Sequence, residues 1–267
     1  MDSSRNRIPI VLAAFGTTTR AMETYSFIHE VLQKRFPENP IHWAFSSRIV
    51  KEYSDRHRKV EILHPHEVLQ ILHLEGHPWA VVQSLHLMCG HEFYRLVDEV
   101  RACPIRASLG MPLLNEPEDY KAIVRVMSGV FSDLEKEAVV LVGHGTDHPS
   151  WCSYVALHHI FQETMTRGIY VGVVEHGYPT MASIVADVKA AGYRKVKLFP
   201  FLLVAGMHFE EDLSGEEDSW KRAFEEEGIA VSLESQGLGF YPGIVELFCR
   251  HVASALDVIP FHSPSFR

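Results

Sequence analysis

Four side chains that can bind a metal or accept a proton follow apolar segments of strand length. His144 ends the run AVVLVGH, Glu175 follows Ile169–Val174, and His208 and Glu92 each come two residues after a glycine. Imidazole and carboxylate together suit a borderline divalent metal such as Co²⁺, Fe²⁺, Ni²⁺ or Zn²⁺, whereas Mg²⁺ and Ca²⁺ prefer shells made of oxygen alone. The four residues are dispersed along the chain, so their spacing leaves open a permanently bound metal and a metal held only in transit.

The sequence contains an internal repeat that aligns these residues. Residues 9–17, PIVLAAFGT, resemble residues 138–146, AVVLVGHGT, and the segment ending in GHEF at Phe93 resembles the one ending in GMHF at Phe209. Glu92 therefore matches His208, and Phe15 stands where the second copy has His144. Open α/β sheets bind ligands beyond the carboxyl ends of their strands. We predict two similar lobes that face a shared active-site cleft.

Apolar runs alternate with segments of helical period, which is typical of parallel α/β sheets. The pattern predicts an α/β fold with one four-stranded parallel sheet in each lobe, the N-terminal lobe over residues 1–131 and the C-terminal lobe over 132–267. It leaves open that the last helix packs back on the first lobe. Predicted strands are 9–15, 41–45, 80–87, 105–109, 138–143, 169–174, 195–203 and 230–235. Predicted helices are 20–36, 66–75, 91–102, 116–131, 150–166, 179–191, 217–227 and 242–256.

Composition excludes several classes of protein. The formal charge is −9 over 267 residues, and no run of Lys or Arg indicates a nucleic-acid binder. No stretch approaches the roughly 20 apolar residues that span a bilayer, and we expect neither a signal peptide nor a membrane anchor. The four cysteines show no CxxC pairing, which favours a reduced, cytoplasmic protein. The motifs GxxxxGK[ST], GxGxxG and GxSxG are absent.

Each candidate residue also has a purely structural explanation. His144 is consistent with a strand-end histidine bonded to a neighbouring carbonyl group, and the carboxylates after His208 suit the first turn of a helix. The hydroxyls of Thr17 and Thr18 precede a helix, where they can cap it or contact an anion. Most of the 17 histidines are expected to be surface or loop residues.

The ordered set of motifs resembles a known family. With FGT near the N-terminus, QSLH at 83–86, GHGT at 143–146, VE at 174–175, VAGxH at 204–208 and DSW at 218–220, the chain resembles the anaerobic cobalt chelatases. These are sirohydrochlorin cobaltochelatases of the class II chelatase superfamily, which includes ferrochelatase. The resemblance covers about residues 8–256.

The resemblance implies insertion of Co²⁺ into sirohydrochlorin in the anaerobic cobalamin pathway, with the tetrapyrrole in the cleft between the lobes. The family's metal-site histidines fall on His144 and His208, and its carboxylates on Glu175 and Glu92. His144, His208 and Glu92 are the predicted catalytic residues. Co²⁺ is a substrate, and no permanent organic cofactor is expected.

Metal insertion requires loss of two pyrrolic protons and of the metal's own ligands. A neutral imidazole can serve as metal ligand and as proton acceptor near pH 7, and a carboxylate adds compensating charge. Sirohydrochlorin carries eight carboxylates, for which Thr17, Thr18 and Arg48 are candidate contacts.

Two departures from the family pattern concern the metal. Met207 stands where an acidic residue of VAGDH is expected, and the segment after Glu175, HGYP, is one residue longer. Loss of a carboxylate beside a metal ligand changes the basicity of that ligand. The departure therefore places the choice of metal in question more than the type of reaction.

Other functions stay open at this point. The nearest are iron insertion into sirohydrochlorin or nickel insertion into a related tetrapyrrole. The histidine-rich stretch 57–91 favours a tetrapyrrole or metal carrier. A carrier would bind one equivalent and would not turn over excess substrate. A periplasmic-type solute receptor would need an export signal. The expected partners are sirohydrochlorin and a divalent metal ion, with homo-oligomerisation open.

Overall fold

A computed structural model describes residues 7–16, 22–46, 63–131, 137–165 and 168–260, with the backbone alone for 207–210. The first half contains a four-stranded sheet of order β2-β1-β3-β4 in which all neighbours are parallel. Its strands are β1 (Ile10–Ala14), β2 (Ile41–Phe45), β3 (Trp79–Ser84) and β4 (Arg106–Gly110). The helices of this half are α1 (Met22–Arg35), α2 (Pro65–Leu74), α3 (His91–Ala102) and α4 (Pro117–Val130).

The second half contains another four-stranded parallel sheet, of order β6-β5-β7-β8. Its strands are β5 (Ala138–Gly143), β6 (Ile169–Val173), β7 (Lys195–Pro200) and β8 (Ala230–Leu233). Its helices are α5 (Cys152–Thr164), α6 (Met181–Ala190), α7 (Met207–Ser214), α8 (Trp220–Glu226) and α9 (Pro242–Asp257). The predicted α/β fold with two four-stranded parallel sheets is confirmed.

An inner strand of each sheet is apolar and buried along its whole length. All five residues of β1 and all six of β5 are buried, as expected for strands covered on both faces. One face of the first sheet packs on α2 and α3 through Leu69, Leu72 and Leu96. One face of the second packs on α6 and α8 through Val188, Trp220 and Phe224.

The internal repeat extends to individual hydrogen bonds. Ser46 N donates to Ala14 O at 3.0 Å, and the corresponding Val174 N donates to Gly143 O at 3.0 Å. Beyond the next strand, the bond from Leu113 N to His86 O in the first half corresponds to the bond from Leu238 N to Leu202 O in the second. The repeated sequence thus encodes two sheets with the same strand order and matching loop contacts.

The chain divides into two compact units, each of which contains one sheet. The first comprises the described residues of Met1–Thr18, His29–Leu113 and Glu246–Arg267. The second comprises those of Thr19–Ile28 and Leu114–Val245. Independent lobes with a boundary after residue 131 stay a prediction.

Around β7, one strand boundary differs from the prediction and one helix was not predicted. The strand predicted to reach residue 203 ends at Pro200, because the next carbonyl groups, those of Leu202 and Leu203, accept from Leu238 N and Gly239 N of a short 3₁₀ turn. A separate helix, α7, then begins at Met207. No described helix is long and apolar enough to cross a membrane.

Candidate active site

His144 and Glu175 lie together at the carboxyl edge of the second sheet. His144 directly follows β5, Glu175 comes two residues after the neighbouring strand β6, and Glu175 N donates to His144 O at 2.9 Å. The His144 Nε2 atom lies 3.7 Å from Glu175 Oε1, and the side chains are 60% and 56% exposed. The structure therefore brings together one predicted imidazole and one predicted carboxylate in a position open to solvent.

The backbone beneath this pair is tightly packed. Gly145 has φ +95°, and its N–H donates to the hydroxyl of Tyr154 at 3.3 Å. Thr146 N donates to His176 O at 2.7 Å, which joins the loop after β5 to the loop after β6. Burial raises the pKa of Tyr154, so its hydroxyl stays protonated and acts as a fixed polar support for the GHGT loop.

His208 lies in the first turn of α7, and Gly206 is the N-cap residue of that helix. α7 follows the third strand of the second sheet, as α3 follows the third strand of the first. The backbone thus places His208 and Glu92 at equivalent positions of the two units, as the repeat predicted. Met207, the departure from the expected motif, is the first residue of α7.

Glu92 lies in the first turn of α3, at the carboxyl edge of the first sheet. Its Oε2 accepts from Ser46 Oγ at 3.5 Å, and Arg95 Nη1 lies 3.1 Å from Oε1 and 3.2 Å from Oε2. Ser46 follows β2 directly. The Glu92 carboxylate is therefore held by one hydroxyl and one guanidinium group, and it retains acceptor capacity.

His86 is a half-buried polar residue next to this position. Its Nδ1 lies 2.8 Å from Ser84 Oγ, and its buried Nε2 has no hydrogen-bond partner among the described residues. Burial, and to a smaller extent the positive charge of Arg95, lower the pKa of His86 to about 4. The ring is therefore neutral at physiological pH.

Three predicted substrate contacts, Thr17, Thr18 and Arg48, lie outside the described residues. Within the described ranges, no three His, Cys, Asp or Glu side chains are arranged to hold a metal ion. His144 and Glu175 supply two donors, and the side chain of His208 lies outside the described part of the chain.

Comparison with known families decides what kind of protein carries this site. Residues 9–257 match the family described as Cobalt chelatase (CbiK). The chain belongs to the cobalt chelatase family. The family predicted from the ordered motifs is thereby confirmed.

Two named cobalt chelatase relatives cover most of the chain. The sirohydrochlorin cobaltochelatase CbiKC of Nitratidesulfovibrio vulgaris is 32% identical over 261 residues, which cover 94% of this chain and 91% of the relative. The sirohydrochlorin cobaltochelatase of Salmonella typhimurium is 32% identical over 229 residues, which cover 83% and 85%.

Solved chelatase structures share the fold. SirB from Bacillus subtilis with Fe³⁺ has a TM-score of 0.66 at 18% identity, with 93% of this chain and 95% of SirB covered. The SirB structure from Bacillus subtilis subspecies spizizenii in complex with cobalt has a TM-score of 0.61 at 16% identity, covering 94% and 96%. At these identities the likeness supports the chelatase fold alone.

Sequence reasoning did not single out Ser46, His86 or Arg95 as parts of the site. His86 belongs to QSLH, which contributed only to the resemblance. Arg95 lies three residues after Glu92 in α3, a spacing that puts two side chains on one helical face. That spacing was the available signal for the ion pair.

Proposed function

We propose that this protein is a sirohydrochlorin cobaltochelatase. The reaction takes sirohydrochlorin with two pyrrolic N–H groups and Co²⁺, and yields cobalt sirohydrochlorin and two protons. The cobaltochelatase activity predicted from the sequence is confirmed by the family match over residues 9–257 and by the two named relatives. Co²⁺ is a substrate here rather than a resident cofactor.

The observation that carries a metal-handling role within this chain is the pair formed by His144 and Glu175. Their side-chain atoms are 3.7 Å apart and both are more than half exposed. A buried, fully bonded pair would indicate a structural role. This pair instead offers an imidazole nitrogen and a carboxylate oxygen to a ligand at the carboxyl edge of the sheet.

In the proposed mechanism, His144 and His208 hold Co²⁺ on one face of the macrocycle. An imidazole gives up the metal as the pyrrole nitrogens replace it, and it can then accept a released proton. Glu175 compensates the charge of the metal and orients His144. Glu92 assists deprotonation, and Ser46 and Arg95 fix the position of its carboxylate.

The remaining finer assignments are part of the same proposal. Thr17, Thr18 and Arg48 contact substrate carboxylates, and the protein needs no permanent organic cofactor. A cytoplasmic location and homo-oligomerisation are further expectations from the sequence and the resemblance, as is the absence of nucleic-acid and membrane partners. None of them is needed for the reaction itself.

The test is anaerobic absorbance spectroscopy of sirohydrochlorin with a catalytic amount of protein and Co²⁺, Fe²⁺ or Ni²⁺ supplied separately. We expect multiple turnovers above the non-enzymatic rate, fastest with Co²⁺. A spectral change that saturates at one equivalent would contradict catalysis and identify a carrier. Faster insertion of Fe²⁺ or Ni²⁺ would overturn the metal assignment while retaining the chelatase activity.

A further inference from the structure

Arg95 is a cation at the carboxyl edge of the first sheet with most of its donors unused. Its Nη1 contacts both carboxylate oxygens of Glu92, and its side chain is 58% exposed whereas that of Glu92 is 31% exposed. A guanidinium group has five N–H donors in a planar fork. Among the described residues, only the Nη1 end of this fork has a hydrogen-bonding partner.

The position of Arg95 is fixed through Glu92. Glu92, its partner, also accepts from Ser46 Oγ, which lies at the end of β2. On another side, the guanidinium is close enough to His86, two residues after β3, to act on it electrostatically. The ion pair with Glu92, which Ser46 also contacts, therefore holds the guanidinium near the end of β2.

The repeat indicates that the fold does not require a cation here. Glu92 corresponds to His208, so Arg95 corresponds to Glu211 three residues after His208 in α7. The two copies thus carry opposite charges at this helical position. An i,i+3 ion pair on a helix surface contributes little to stability in general, which is a weak structural reason for the arginine.

The charge of the substrate supplies a stronger reason. The protein has a formal net charge of −9, and sirohydrochlorin carries eight carboxylates, so the two molecules repel each other at long range. A local cation at the binding edge offsets this repulsion. Arginine binds carboxylates in a bidentate manner that lysine does not reproduce.

We propose that Arg95 is a substrate-binding residue, which engages one peripheral carboxylate of the tetrapyrrole through its remaining donors while Nη1 stays on Glu92. The proposal rests on the proposed function. Arg95 would thereby hold the macrocycle edge at a fixed distance from Glu92, the group assigned to deprotonation, and would favour carboxylate-rich tetrapyrroles.

The experiment compares the wild type with Arg95→Gln, Arg95→Lys and the matched control Arg101→Gln. Arg101 is an exposed arginine in the last turn of the same helix, at the end far from Glu92. Metal-free binding of sirohydrochlorin is measured by fluorescence quenching at several salt concentrations, and KM and kcat are measured with Co²⁺. Circular dichroism checks that all variants are folded.

We expect Arg95→Gln to raise Kd and KM for sirohydrochlorin about tenfold, as for loss of a charge-assisted hydrogen bond. It should leave KM for Co²⁺ unchanged and weaken the salt dependence of binding. Arg95→Lys should recover part of the loss, and Arg101→Gln should behave as the wild type.

Two outcomes would overturn the proposal. Equal binding by Arg95→Gln and Arg101→Gln would show that Arg95 does not contact substrate. A lower kcat with unchanged Kd would show that Arg95 acts only through Glu92. Both leave the proposed function intact, because that function fails only if the wild type itself does not turn over.

Discussion

The carbonyl oxygen of His176 lies where a side chain on Gly145 would start, since a Cβ at residue 145 would approach it to 2.4 Å. Gly145 also has φ +95°, a conformation that residues with a Cβ rarely adopt. Only glycine therefore lets the loop after β5 contact the loop after β6. This contact sets the backbone that carries His144 and Glu175.

Replacing Gly145 by alanine should cost both stability and activity. We expect Gly145→Ala to lower the free energy of unfolding by about 2–4 kcal/mol, because backbone strain and a steric clash add. Displacement of the loop should also reduce the rate of cobalt insertion. Urea unfolding and the absorbance assay measure the two effects.

The matched control for this substitution is Gly192→Ala. Gly192 has a similar φ of +82°, but a Cβ there would meet nothing within 4 Å. Gly192→Ala should lower the free energy of unfolding by only about 1 kcal/mol, which is the conformational part of the cost. It should keep full activity. Equal losses in the two variants would show that the contact with His176 is unimportant.

Replacing His144 by alanine should abolish most of the activity and leave the fold intact. The side chain is 60% exposed, so its removal creates no cavity. Loss of the proposed metal ligand and proton acceptor should reduce kcat about 100-fold or more. His159→Ala is the control, because His159 forms a comparable exposed pair with Glu163 within α5, at 3.4 Å. Full activity of His144→Ala would refute the central role of His144.

Glu175→Gln separates charge from shape at the same site. The amide keeps the size of the side chain but removes the carboxylate that faces His144 and that the proposed mechanism places near the metal. We expect KM for Co²⁺ to rise about tenfold, as for loss of a group that supports a metal ligand, with little change in KM for sirohydrochlorin. Glu163→Gln should change neither constant. A change confined to KM for sirohydrochlorin would assign Glu175 to the tetrapyrrole instead.

The fold was predictable because its signals are local and repeated. Fully apolar runs such as Ile10–Ala14 and Ala138–Gly143 occur in both halves with Gly-Thr in the loops after them, so strand type and parallel direction follow from the pattern. The end of β7 at Pro200 was missed because hydrogen bonds from the distant turn Leu238–Phe240 decide it. Apolar character alone continues past residue 203.

The site was predictable only in part, for a related reason. His144 and Glu175 follow neighbouring parallel strands, so the topology itself brings them together. The hydrogen bond from Ser46 to Glu92 spans 46 residues and depends on side-chain rotamers that the sequence does not specify. The partial burial of His86 likewise depends on packing around the end of β3. The spacing of residues in the sequence does not reveal this packing.

The neutral, half-buried His86 should make stability depend on pH. Its folded pKa is about 4, whereas an unfolded histidine titrates near 6.5. Between these values the unfolded state binds more protons, so the free energy of unfolding rises with pH in this window. The contribution is complete above about pH 6.5 and is lost as the pH falls towards 4. The difference between the folded and unfolded pKa of His86 corresponds to a change of at most about 3 kcal/mol in the free energy of unfolding.

Urea unfolding at several pH values between 4.5 and 7.5 measures this dependence in the wild type and in His86→Gln. The variant should show a shallower slope, because glutamine does not titrate and can still bond with Ser84. A smaller slope should remain, since burial also lowers the pKa of His42 and of His158. His73→Gln, at an exposed position near the end of α2, reports the effect of losing a histidine elsewhere. Parallel curves for the wild type and His86→Gln would show that His86 titrates alike in the folded and unfolded states, so that folding does not lower its pKa.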